Sequence, residues 1–71
     1  MTRRYEKIER LKNKGNDLFS AQSFSQASQI YFEGILEIEE LLDNGTKRNE
    51  ELIALEISLK LNYAAAKLRL K

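Results

Sequence analysis

Two stretches of the chain repeat apolar residues every three or four positions, which is the period of one face of an α-helix. The first stretch predicts a helix over residues 2–20, and the second predicts a helix over residues 24–43. Ser23 followed by Gln26 is typical of the capping box that opens a helix. The first stripe consists of Tyr5, Ile8, Leu11, Gly15, Leu18 and Phe19, and the second consists of Phe24, Ala27, Ile30, Tyr31, Gly34, Ile35, Ile38 and Leu42. The composition of residues 43–46 predicts a turn after the second helix.

The third segment is ambiguous, because apolar residues alternate with other residues from Ile53 to Tyr63 as they do in a half-buried strand. The apolar character then continues to Leu70, and a run of about 20 residues rich in Leu, Ala, Lys and Glu exceeds the length of a strand. We therefore predict a third helix over residues 47–70. Its apolar residues form two stripes, one with Leu52, Leu55, Leu59, Tyr63 and Ala66 and the other with Ile53, Ile57, Ala64 and Leu68. One stripe can pack on the first two helices, and the other is either exposed or covered by another helix, chain or ligand.

The composition predicts one small all-α domain of three antiparallel helices over residues 1–71. The chain contains no Pro and few Gly, which favours long helices, and it contains no Cys or His, so thiolate and imidazole metal sites are excluded. Only carboxylates, Lys, Tyr and hydroxyl groups remain for catalysis. We therefore expect no enzyme, no cofactor and no metal site. No apolar run is long enough to cross a bilayer, and the first residues have no hydrophobic signal core, which predicts a cytoplasmic protein without a membrane partner.

Charge is unevenly distributed along the chain, although the net charge is only +1. Residues 1–14 carry six basic and two acidic side chains, residues 15–46 carry six acidic and no basic ones, and residues 47–71 carry six basic and three acidic ones. The small net charge argues against a nucleic-acid partner. Opposite charges on neighbouring helices either support their packing or mark a basic binding surface.

The segment 11–19, with Phe24, Ala27, Tyr31 and Gly34 after it, resembles the first helix pair of a tetratricopeptide repeat. Residues 61–68 are similar to the first helix of the next repeat, with Ala64 in the position that Gly15 holds. These two positions are 49 residues apart, against about 34 in the usual repeat. The chain departs from the family pattern at Glu39, where Pro is common, and at Lys67, where an aromatic residue is usual. The resemblance implies one and a half repeats and assigns helix packing to Gly15, Leu18, Phe24, Ala27, Tyr31, Gly34 and Ala64.

A long insertion of this kind is similar to the first repeat of immunophilin-type co-chaperones, which hold the C-terminal carboxylates of a peptide in a clamp. The resemblance places Lys12, Asn16 and Asn62 at three of the five clamp positions. Lys12 and Asn16 lie four residues apart, so they share a helix face and can donate to one carboxylate. The implied partner is the acidic C-terminal tail, of EEVD type, of a heat-shock chaperone. With two clamp positions missing, we expect a fragment whose isolated chain binds weakly.

Alternatives to this interpretation remain open. Lys12 is also compatible with a solvated charge, and Asn16 and Asn62 with ordinary helix residues. Three-helix microtubule-interacting and trafficking domains have a similar length and bind helical peptides beside the third helix. The uncovered stripe of the third helix also predicts a homodimer through that helix. An RNA-binding first helix, or an enzyme using Tyr31 or the pair Glu39 and Glu40, is disfavoured by the charge and by the spacing.

Overall fold

The fold consists of three helices. The structure is a computed structural model that describes residues 5–70, and it contains α1 (Glu6–Ser20), α2 (Phe24–Asp43) and α3 (Glu50–Arg69). The described residues form no strand, so the third segment is a helix and the all-α prediction is confirmed. The predicted start of the first helix, at residue 2, lies outside the described residues.

Consecutive helices run in opposite directions, and α2 lies against both of the others. The start of α1 meets the later part of α2, where the Lys7 ammonium lies 2.8 Å from a carboxylate oxygen of Glu37. The rings of Phe32 and Tyr63 approach to 5.8 Å between centroids, which brings the middle of α2 beside the later part of α3. As a result α1 and α3 point the same way.

Each helix turns one apolar stripe inward. The buried apolar side chains are Tyr5, Ile8, Ala27, Tyr31, Ile35, Ile38, Leu52, Leu55, Leu59 and Ala66. Burial of a large apolar side chain of this kind contributes about 1.5–3 kcal/mol. The inward stripe of α3 is therefore the one that contains Leu52, Leu55 and Leu59, with Tyr63 half-buried beside it.

The turn between α1 and α2 differs from the predicted capping box. Ser23 occupies the N-cap position of α2, but its side chain makes no capping hydrogen bond. Its backbone N–H donates to the carbonyl of Leu18 at 2.8 Å, which closes the end of α1. With φ −87° and ψ 66°, Ser23 lacks the extended backbone usual for a capping side chain. The capping-box prediction for Ser23 and Gln26 is therefore wrong.

The third helix begins at Glu50, three residues after the predicted start at Lys47. Asn49 has an extended backbone, and its side-chain oxygen accepts a hydrogen bond from the N–H of Leu52 at 2.8 Å. This bond satisfies an N–H that would otherwise lack a partner in the first turn, so the helix starts after Asn49. Asn49 also donates to the hydroxyl of the buried Tyr5 at 2.9 Å, which attaches the start of α3 to the start of α1.

Candidate functional site

A cleft of about 210 Å³ lies between α1 and α3, on top of α2. It is the place where the two predicted asparagines come together. Its lining consists of Asn16, Phe19, Ser20, Tyr31, Asn62 and Ala65. Residues from all three helices therefore build one small concavity, in which polar and apolar side chains are mixed.

Asn16 is the centre of the polar contacts in this cleft. Its side-chain oxygen accepts a hydrogen bond from the Tyr31 hydroxyl at 2.6 Å and a second from the Asn62 amide at 3.1 Å. Burial raises the pKa of the Tyr31 phenol above its ordinary value. With its oxygen occupied, the exposed Asn16 side chain keeps its amino group as a hydrogen-bond donor.

Gly15 allows Tyr31 to reach Asn16. A Cβ atom at residue 15 would lie 2.6 Å from Cδ1 of the Tyr31 ring, far inside van der Waals contact. Because Gly15 has no side chain, the ring can approach α1 closely and place its hydroxyl beside the next residue. The sequence-predicted packing residue Gly15 thus also shapes the cleft.

Lys12 lies one helical turn before Asn16, so it is on the same side of α1 as the cleft. Lys7 and Arg10 are engaged elsewhere: Arg10 pairs with Glu6, and the hydrogen bond from Lys7 to Glu37 raises the pKa of Lys7. Within residues 5–70, Lys12 has no ion-pair partner, so its charge is available to a ligand.

Lys14 has a different location. It lines a separate depression between α1 and α2, of about 290 Å³, together with Leu18, Gln26, Gln29 and Ile30. Within the described part of the chain Lys14 also forms no ion pair. The two lysines therefore differ in position while carrying the same charge, which makes Lys14 a matched control for Lys12.

Arg69 is a cation at the other end of the cleft that the sequence analysis missed. Its guanidinium lies 5.9 Å from the ring centre of Phe19, which lines the cleft, and 5.8 Å from that of Phe24. The two rings contact each other edge to face at 5.0 Å. Arg69 follows Asn62 by seven residues, and this two-turn spacing was the available signal that both share a face of α3. The cleft therefore has a cation near each end and amides between them.

The remaining predicted packing residues divide into three groups. Ala27 and Gly34 are buried, and Leu18 and Phe24 are half-buried. A Cβ at Gly34 would meet the methyl groups of Leu59 at 3.0 Å, so the absence of a side chain at this position allows α3 to pack closely on α2. Ala64 is exposed, and the expectation that it packs in a helix crossing is not met within the described residues.

Comparison of the chain with protein families, with curated proteins and with solved structures gives no match. Among residues 5–70 no three acidic side chains are grouped closely enough to hold a metal ion. None of the described helices combines the length and the apolar character needed to cross a membrane. The fold defines a three-helix all-α protein, and the cleft is its candidate functional site.

Proposed function

We propose that the chain is a non-catalytic protein-binding module, of the tetratricopeptide type, whose cleft between α1 and α3 binds an acidic peptide through its C-terminal carboxylate. The observation that carries this proposal is the hydrogen bond between Asn62 and Asn16 at 3.1 Å. These residues are 46 positions apart, and the fold brings their amides to one place. The proposed partner is the acidic C-terminal tail of a heat-shock chaperone, and the proposed setting is a cytoplasmic co-chaperone.

Each residue has a distinct role in the proposed complex. The amino group of Asn16 and the remaining N–H of Asn62 donate to the terminal carboxylate, because the Asn16 oxygen is already occupied. Lys12 supplies a positive charge one turn away, and a charge-assisted hydrogen bond of this kind contributes about 1.5–3 kcal/mol. Arg69, held against Phe19 and Phe24, attracts an acidic side chain further along the peptide.

The groups at the cleft support the proposal of a peptide site. The cleft offers amide and hydroxyl groups that can orient a carboxylate, and Lys12, one turn from Asn16 on α1, supplies a charge that can neutralise it. Within residues 5–70 its lining contains no carboxylate that could serve as a general base. The proposed activity is therefore recognition without turnover.

The test uses a short peptide that ends in acidic residues with a free carboxylate, and the same peptide with an amidated C-terminus. Titration is followed by the side-chain amide signals of Asn16 and Asn62 in nitrogen–proton correlation spectra, which detect weak binding. We expect both signals to shift with the free-acid peptide and to shift much less with the amide. Lys12→Ala should weaken binding about tenfold or more.

Lys14→Ala is the matched control, since it removes the same charge from the other side of α1. We expect it to change the affinity less than about twofold, because a distant exposed charge is screened by salt. Equal effects of Lys12→Ala and Lys14→Ala would mean that only overall charge matters. No shift at Asn16 and Asn62, or shifts confined to Phe32 and Tyr63 with a helical peptide, would contradict the proposed site.

A further inference from the structure

The third helix carries a second apolar face that points away from α1 and α2. We define the outer face of α3 by Ile53, Ile57, Leu61, Ala64 and Leu68. The four large side chains are 41%, 53%, 66% and 63% exposed. From residue 53 to residue 68 the face is about 22 Å long at the helical rise. An apolar surface of this length is unfavourable in water and is typical of a contact surface.

Two pairs of residues on the outer face are symmetric about one point of α3, and Leu61 lies next to that point. Ile53 and Leu68 lie equally far from the midpoint between Lys60 and Leu61, and so do Ile57 and Ala64. If a second copy lies antiparallel about this midpoint, Ile53 contacts Leu68 of that copy and Ile57 contacts Ala64 of that copy. In the second pair a large side chain meets a small one, which allows close approach of the helices. Leu61 lies beside Lys60 of the second copy, whose methylene stem is apolar. Self-complementarity of this kind is the requirement for a twofold interface.

The charges at the helix ends favour the same antiparallel orientation. The first turn of α3 contains Glu50 and Glu51, and its last turn contains Lys67 and Arg69. In an antiparallel pair the acidic start of one helix lies beside the basic end of the other, and the two helix dipoles are opposed. A parallel pair would place like charges side by side. Lys60, near the midpoint, lies 3.6 Å from a carboxylate oxygen of Glu56, which offsets its repulsion from the Lys60 of a second copy.

We propose that the outer face of α3 is the contact surface of an antiparallel homodimer centred between Lys60 and Leu61. The occupant is thus a second copy of this chain. Asn62 faces α1 and the cleft, so this pairing leaves the two clefts of the dimer open. The dimer does not depend on the proposed peptide binding, and Arg69 is the residue that the two proposals share.

The first experiment is sedimentation equilibrium over a concentration series, with the full chain and two variants. We expect a monomer–dimer equilibrium for the unchanged chain. Ile57→Lys should weaken the dimer about tenfold or more, because it places a charge in the buried part of the contact. Leu36→Lys is the matched control, because Leu36 on α2 is 46% exposed and lies off the outer face. Circular dichroism checks that both variants remain helical.

The second experiment tests the relative orientation of the two α3 helices by disulfide formation. Because the chain has no native cysteine, any disulfide must involve the introduced residues. Leu61→Cys, near the midpoint, should link to itself. Ile53→Cys and Leu68→Cys should link to each other in a mixture, and neither should link to itself, because antiparallel pairing keeps identical residues apart.

Several outcomes would overturn the proposal. A monomer at every concentration removes the dimer altogether. Loss of the dimer in Leu36→Lys but not in Ile57→Lys would place the contact on α2. Efficient self-linking of Ile53→Cys alone would mean that the helices pair in parallel.

Discussion

The ring of Tyr31 lies directly on the backbone of Gly15. Cδ1 of the ring would be 2.6 Å from a Cβ at that position, and the ring is fixed at its far end by the hydrogen bond from its hydroxyl to Asn16. A rigid aromatic ring held at both ends cannot move aside as a flexible side chain can. The close approach of α1 and α2 and the geometry of the cleft therefore depend on the same glycine.

Gly15→Ala should accordingly destabilise the protein. The added methyl group overpacks the contact with Tyr31, at about 1–3 kcal/mol, and the better helix propensity of Ala returns about 1 kcal/mol. We expect a net loss of up to about 2 kcal/mol in the free energy of unfolding, measured by urea denaturation. Gly34→Ala is the comparison, because the Leu59 methyl groups that it meets lie further away, at 3.0 Å, and rotate more easily. A larger loss in Gly34→Ala than in Gly15→Ala would contradict this explanation.

The helices and the inward stripes were predictable from the sequence, because they depend on local spacing. The repeat of apolar residues every three or four positions predicted α2 at residues 24–43, and the structure has the helix at the same residues. The same period separated the two stripes of α3, and the stripe with Ile53 and Ile57 is exposed as one of the expected alternatives. The start of α3 was missed, although Asn49 followed by two acidic residues is a common N-terminal pattern.

The cleft was only partly predictable. Asn16 and Asn62 could be selected by resemblance, but their contact depends on how α1 and α3 lie on α2, which the spacing within each helix does not determine. The hydrogen bond from Tyr31 depends on the same crossing. Arg69 was missed because its place follows from a contact with Phe19 and Phe24 near the turn between α1 and α2. Local sequence patterns do not predict contacts between segments that are distant in the chain.

Asn49 should be important for stability, because it caps α3 and also binds Tyr5. Asn49→Ala removes both contacts, and we expect it to lower the free energy of unfolding by about 1–3 kcal/mol. Asn49→Ser keeps a capping oxygen but is too short to reach Tyr5, so its loss should be smaller. Thermal unfolding followed by circular dichroism measures both. Equal losses in the two variants would mean that the cap contributes nothing.

Glu56 should make the stability depend on pH. The hydrogen bond from Arg48 lowers the pKa of Glu56 below its ordinary value, with help from Lys60. Because the folded pKa is depressed, the stabilisation is complete above the unfolded pKa and is lost as the pH falls through the folded pKa. Glu56→Gln should therefore lose stability at neutral pH and lose less of it on acidification than the unchanged protein does.

The measurement for Glu56 is urea unfolding at neutral pH and at about pH 3, which lies below the ordinary glutamate range. Added salt should reduce the difference between Glu56→Gln and the unchanged protein, because the Arg48 side chain is more than half exposed and the ion pair is screened. Parallel pH curves for the two proteins would show that the contact of Arg48 with Glu56 is not formed in solution.

Gln22 adopts a backbone conformation that suits glycine better. Its φ is 64°, in the left-handed region, at the turn that ends α1. This conformation is unfavourable by about 1–2 kcal/mol for a residue with a Cβ, and glycine avoids that strain at some loss of entropy on folding. Gln22→Gly should therefore raise the free energy of unfolding by about 0.5–1 kcal/mol. Gln26→Gly, inside α2, is the opposite case and should lower the free energy of unfolding by about 1 kcal/mol. Stabilisation by the first change and destabilisation by the second would locate the effect in the turn. Destabilisation by both would mean that Gln22 is not in the left-handed region in solution.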